Sequence, residues 1–200
     1  MKAIAITLLT LISVSFANPE QLQIGDAAPK TNLQMNGIDG AKASLNDVAK
    51  PGGLLVIFSC NSCPYVLGWE DRYNEISNIC NQFQVGFVLV NSNEAKRSGA
   101  DSMEKMVEHA TEAGYSSFAY LEDANHVLAD AFGATKTPDV FLFDAAMNLV
   151  YKGAIDDNMK DKNEVQISYV KKALTSMVSG EIIDPQSTKA IGCSIKRIKS

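Results

Sequence analysis

Cys60 and Cys63 stand at Cys-x-x-Cys spacing in the run GGLLVIFSCNSCPYVLGW, Gly52 to Trp69, and nowhere else in the 200 residues does unusual chemistry meet so strong a structural signal. Two thiols so placed can exchange with a disulfide. Attack by one sulfur gives a mixed disulfide, which the second breaks from close by, releasing the substrate reduced. The spacing permits this without setting its direction. A static disulfide, or half of a metal site lacking two further ligands, fits the same two residues.

The flanking residues say how the pair is held. Leu54 to Phe58 is an unbroken apolar run rich in branched side chains, entered through Pro51-Gly52-Gly53, and reads as a strand buried on both faces. After Cys63 the period changes: Val66, Leu67, Tyr73, Ile76 and Cys80 recur at helical spacing, while Glu70, Asp71, Arg72 and Glu75 face water. Pro64 suits the first turn of such a helix, which has no use for its missing N–H. Cys60 is therefore expected at or just before a helix N-terminus, where free N–H groups and the dipole favour an anion, with Cys63 one turn on. That geometry suits Cys60 as the thiolate nucleophile and Cys63 as its resolving partner.

The rest of the chain supplies a sheet for this strand. Residues 31–45 read as a hairpin about Gly37-Ile38-Asp39-Gly40, and Asn46 to Lys50 as a helical turn ended by Pro51. Val85 to Asn91 is a second buried strand. Asp101 to Gly114 is a helix with Asp101 or Ser102 as cap and Met103, Met106, Val107 and Ala110 inward. A short strand at Phe118 to Leu121 and a helix from Asn125 to Phe132 follow, then a strand pair, Asp139 to Phe143 and Leu149 to Ala154. A last helix is expected from Lys162 to Val178, with Ile167, Val170, Leu174 and Val178 inward. Alternating strands and helices ending in a hairpin and a helix predict an α/β fold: a central mixed β-sheet flanked by helices, with an N-terminal β-hairpin extension.

Lys2 and an uncharged, mostly apolar stretch from Ala3 to Phe16, with Ser15 and Ala17 at the end, predict a signal peptide at residues 1–17 and export to a periplasm or the medium. An uncleaved anchor is the alternative, but the run is short for a membrane span. Residues 18–200 are expected to form a single domain, with its core over about 22–180 and a C-terminal tail at 181–200. A formal charge of −5, or −6 without Lys2, disfavours a nucleic-acid partner. An exported chain with four cysteines admits disulfides.

IGDAAP, CNSCPYV, TPDVFLFD, LVYKGAIDDN and AIGCSIKR, in that order over residues 22–198, resemble the thioredoxin-like redoxin family on its peroxiredoxin-related branch, alkyl hydroperoxide reductase and thiol-specific antioxidant. The resemblance implies a thioredoxin-like fold, a redox-active Cys60–Cys63 disulfide, and Thr137-Pro138 as a cis-proline loop whose backbone holds an extended substrate. It implies protein dithiols or disulfides as substrates, an unidentified redox partner, and no cofactor or metal. Two features depart from the pattern. Nothing from Leu54 to Ser59 titrates, so the buried carboxylate of thioredoxins is missing there, and Cys60 stands where peroxiredoxins carry a threonine, with Cys63-Pro64 in the place of their peroxidatic cysteine. A thiol-dependent peroxidase is thus the second enzyme reading, and a redox-inert or copper-carrying binding domain the third.

Cys80 lies on an apolar helix face and reads as a core thiol. Cys193 is a possible additional redox thiol, a partner for Cys80, or simply buried. His109 and His126 read as structural or solvated, Lys136 as solvated, and Asp156-Asp157-Asn158 as a turn rather than a cation site.

Overall fold

The computed structural model describes residues 21–115 and 117–198; the expected leader, residues 1–17, lies outside them. β1 (Met35–Gly37) and β2 (Lys42–Ala43) form the N-terminal hairpin. α1 (Leu45–Val48) starts at Ser44, whose hydroxyl accepts from Asp47 N–H at 3.4 Å while Asp47 Oδ2 accepts from Ser44 N–H at 2.9 Å, a reciprocal cap. Then come β3 (Leu54–Ser59), α2 (Pro64–Trp69), α3 (Tyr73–Gln82) and β4 (Gly86–Asn91). α4 (Met103–Glu112), β5 (Ala119–Glu122) and α5 (Val127–Phe132) lead to β6 (Lys136–Thr137), β7 (Asp139–Phe143) and β8 (Leu149–Gly153). α6 (Tyr169–Ser179) and the tail strand β9 (Cys193–Ser194) close the described chain.

Seven strands form one mixed sheet in the order β2-β1-β5-β4-β3-β7-β8, and β6 pairs with β9 in a separate ribbon. β3 is parallel to β4 and antiparallel to β7, with Leu54 opposite Phe143 and Phe58 opposite Asp139. All six of its residues are buried, as an apolar run covered on both faces requires. Strand alternation then sorts them: Leu55 and Ile57 join Phe87, Leu89, Val140 and Leu142 under α2, α3, α4 and α6. Leu54, Val56 and Phe58 face the other way with Val88, Val90, Phe141 and Phe143. There Phe58, Phe132 and Phe141 meet edge to face, with centroids 5.2–5.7 Å apart. The chain enters β3 at Gly53, φ +116°, where a Cβ would stand 2.2 Å from the Phe143 carbonyl oxygen, so only glycine fits.

The outer edge of β8 is covered rather than open. Gly25 N–H donates to Leu149 O at 2.8 Å and Leu149 N–H to Asp26 O at 2.8 Å; further along, Thr188 N–H reaches Lys152 O at 2.9 Å.

Three helices differ from their expected faces. α2 has six residues and ends in a 3₁₀ turn at Glu70–Arg72, which resets the phase, so Val66 and Trp69 point inward and Leu67 is 48% exposed. Arg72, expected in water, is buried against Asp156, 3.2 Å away. α4 buries Met106 and Ala110 alone and leaves Val107 out. α6 begins at Tyr169 instead of Lys162, because Asp157 holds the preceding loop: its N–H donates to Ile167 O and its Oδ1 accepts from Gln166 N–H at 3.0 Å. Ile167 is left in that loop and exposed, Val178 near the helix end is exposed too, and Val170, Ala173 and Leu174 pack on the sheet.

Candidate active site

Because β3 and β7 are antiparallel neighbours, the end of one and the beginning of the other meet at one edge of the sheet. Cys60 leaves β3 there, and Thr137-Pro138, joined by a cis peptide, enters β7. Cys60 Sγ lies 3.4 Å from Thr137 Oγ1, and Cys63 Sγ lies 3.2 Å from the Thr137 carbonyl oxygen. Both sulfurs are nearly covered, Cys60 2% and Cys63 4% exposed, and both are thiols in this structure.

The helix starts later than the spacing predicted. Cys63 is the residue before Pro64, at the N-cap of α2, and Cys60 precedes it by a full turn. The free first-turn N–H groups therefore favour negative charge on Cys63 rather than Cys60. The two thiols are unequal: the neighbouring Cys60 side chain, with help from Cys193 and the Val66 N–H, holds the Cys63 thiol below its ordinary value against its burial. Cys60 is pushed up by the same hydrogen bond, by burial and by the charge of Asp101.

Asp101 is the site residue that local pattern did not reveal. Ser102 caps α4, its Oγ accepting from Lys105 N–H at 3.3 Å, and this leaves Asp101 free to turn inward, fully buried. Its Oδ1 accepts from the Asn61 N–H between the two cysteines and from Asn91 Nδ2, both at 2.9 Å, and its Oδ2 from Asn93 Nδ2 at 3.0 Å. Tyr120 Oη donates to Asn61 Oδ1 at 2.8 Å, and Asn61 Nδ2 to Ala100 O at 2.9 Å. The cysteine loop is thus tied to β5 and the start of α4 by its own hydrogen bonds, and through the buried Asp101 to Asn91 of β4, the bond at its backbone being charge-assisted. The only sequence signal was an Asp beside an adequate cap.

The C-terminal tail completes the wall. β9 pairs antiparallel with β6, Cys193 opposite Thr137, and Gly192 passes so close that a Cβ would stand 2.3 Å from Thr137 O. The Thr137 edge, expected to be open to a substrate strand, is covered by the chain itself. Lys96 and Lys196 line the small cavity at the cysteines; Lys136 instead acts on Asp139.

Other candidates sit elsewhere. Cys80 is fully buried, and burial pushes its thiol up to about 12, a core residue on α3. His109 Nε2 lies 2.8 Å from a Glu70 carboxylate oxygen without hydrogen-bond geometry, and His126 Nδ1 hydrogen-bonds Asp130 at 2.6 Å. Asp156 accepts from Trp69 Nε1 at 2.6 Å, and Asn158 Oδ1 accepts from Lys160 N–H at 3.0 Å, so this acidic turn is spent on structure.

Residues 24–152 match the AhpC/TSA family. No curated protein matches the chain. Among solved structures, it is similar to an uncharacterized conserved protein from Geobacillus kaustophilus, at 32% identity over 89% of this chain and 94% of that one, with a TM-score of 0.80. A hypothetical protein from Sinorhizobium meliloti 1021 is 27% identical over 90% and 98%, with a TM-score of 0.81. A secreted Mycobacterium tuberculosis disulfide oxidoreductase, 12% identical over 74% and 95% with a TM-score of 0.54, shares the fold alone.

Proposed function

The chain belongs to the AhpC/TSA family and has a thioredoxin-like fold, and from that premise we propose that it is an exported thiol-disulfide oxidoreductase working through the Cys60/Cys63 dithiol. The observation that carries this is the convergence of both sulfurs on Thr137, at 3.4 and 3.2 Å, in front of Pro138. Export rests on residues 1–17, and the disulfide oxidoreductase that shares the fold is a secreted protein.

In this reading the roles suggested by the spacing are exchanged. Cys63, at the helix N-cap with a lowered thiol, attacks one sulfur of a substrate disulfide; the other substrate sulfur leaves and takes a proton. Cys60 then gives up its proton and attacks Cys63, forming the Cys60–Cys63 disulfide and expelling the second substrate sulfur as a thiol. Net, the substrate gains two electrons and two protons and the enzyme loses them; the reverse sequence oxidises a dithiol. Thr137 positions the cysteines and, once β9 lifts from it, a substrate backbone. Protein dithiols or disulfides are the proposed partners.

The test is redox titration of the reduced full chain against a glutathione series with thiol trapping. Reversible pairing of Cys60 with Cys63 at a definable potential supports the proposal, and thiols that never pair overturn it. One observation favours a peroxidase as second reading: the cavity at the cysteines is only about 70 Å³, room for a small hydroperoxide. Peroxide consumption with added dithiothreitol, abolished in Cys63→Ser, separates the two. Cleavage after Ala17, read by the mass of the mature chain, tests export.

A further inference from the structure

Cys193 is remote in sequence and lies next to the dithiol in space. β9 brings it opposite Thr137, the residue both active-site sulfurs touch. All three thiols line the same cavity, with Lys96 and Lys196 on its wall. The approach is built rather than incidental. Gly192 admits β9 where no side chain fits, and anchors lie on both sides of Cys193. Upstream, Thr188 Oγ1 accepts from Ala154 N–H at 2.8 Å. Downstream, Ile195 N–H donates to Thr135 O at 3.0 Å with its side chain buried, Lys196 N–H donates to Asn93 Oδ1 at 2.8 Å, and Arg197 Nε reaches Asp130 at 2.7 Å. Asn93 is itself held by Asp101, so one polar chain fixes both the cysteine loop and the tail.

We infer that Cys193 is a third redox thiol, which takes over the disulfide from Cys60 and carries it to the surface as a Cys63–Cys193 bond. This rests on the dithiol function proposed above. In the oxidised enzyme, Cys193 loses its proton and attacks Cys63 Sγ; the Cys60–Cys63 bond breaks, the Cys63–Cys193 bond forms, and Cys60 takes up a proton. No electrons enter or leave, so the oxidation supplied by the substrate disulfide suffices. Cys193 is the most exposed of the three and shares the cavity wall with Cys63; partial burial and the neighbouring Cys63 push its thiol up, and the Lys196 ammonium on the same wall works the other way, toward the thiolate that attacks. A partner too large for the cavity can then attack at Cys193 and return the enzyme to its reduced state.

The experiment oxidises the reduced full chain with oxidised glutathione, quenches in acid, blocks free thiols with N-ethylmaleimide and maps disulfide-linked peptides by mass spectrometry. The wild type is expected to yield both Cys60–Cys63 and Cys63–Cys193 peptides, and Cys60→Ser, with Cys60→Ala as a second variant, the Cys63–Cys193 peptide as its intramolecular bond. If both variants are folded by circular dichroism yet stop at a glutathione adduct on Cys63 with Cys193 alkylated, the inference is overturned. Cys193→Ser separates this from failure of the dithiol itself: retention of Cys60–Cys63 there leaves the proposed function standing, and its absence sinks both.

Discussion

Replacing Asp101 by Asn removes one charge and keeps the shape, so the consequences follow from its hydrogen bonds. The carboxylate accepts three, from Asn61 N–H, Asn91 Nδ2 and Asn93 Nδ2, at 2.9, 2.9 and 3.0 Å. An amide can keep its oxygen on the first two, but its NH₂ then faces the NH₂ of Asn93, and two donors are left without an acceptor. Turning Asn93 over repairs that contact only by withdrawing its oxygen from Lys196 N–H, 2.8 Å away, and so moves the loss to the tail. Either way a buried donor is stranded, at a cost of about 2 kcal/mol, or roughly 4–8 °C in Tm for a chain of this length. Thermal unfolding of the reduced protein measures the shift, and hydrogen exchange at the Asn61 N–H reports loosening of the loop. The charge lost is also one that pushes the Cys60 thiol up, so in the variant Cys60 gives up its proton more readily when it attacks Cys63. A variant with unchanged Tm and unchanged Asn61 exchange would refute the assignment of Asp101 as the clamp of the cysteine loop.

Three further outcomes are expected. Thiolate absorbance of the reduced protein should show a Cys63 step below the ordinary thiol range, moved upward in Cys60→Ala, where the neighbouring sulfur is gone; no step below about pH 7 would contradict the helix-cap account. Burial raises the Asp139 carboxyl to about 7, so the folded state holds a proton that the unfolded state, at 3.8, has lost. Stability from this group therefore falls as pH rises from about 4 to 7, and Asp139→Asn should become relatively more stable than the wild type across that window in denaturant titrations; a pH-independent difference would contradict it. Gly192→Ala forces β9 back by about 1 Å, from a 2.3 Å contact to an ordinary one, at about 1–3 kcal/mol, and should speed Cys193 alkylation while Cys60–Cys63 still forms; unchanged alkylation would show the approach is not tight.

What the chain's pattern disclosed was local, and what it concealed was distant. Leu54 to Phe58 announced a buried strand because both faces of a mid-sheet strand demand apolar residues, and the Cys-x-x-Cys and Thr-Pro motifs marked the two loops. Periodicity located α4 and α6, but not which residues their neighbours would cover, hence Val107 and Val178 in water. The register of α2 was missed because Pro64 is compatible with several first-turn positions, and the 3₁₀ turn at Glu70–Arg72 answers to Asp156, more than eighty residues away. Asp101 and Cys193 reach the site through pairings of 40 and 56 residues' separation in the chain, from Asn61 and Thr137, which no window on the sequence contains.

The antiparallel pairing of β3 with β7 has a mechanical consequence. Both cysteine loop and Thr137-Pro138 loop spring from adjacent strands in the middle of the sheet, so the gap between them is set by a single inter-strand spacing, about 4.8 Å, and inherits the stiffness of the most buried ladder. Cys193 hangs on a two-residue ribbon of its own, held by a few anchors. Mild heat or denaturant should therefore strip the third thiol first, leaving a dithiol enzyme whose active geometry survives until the sheet itself gives way.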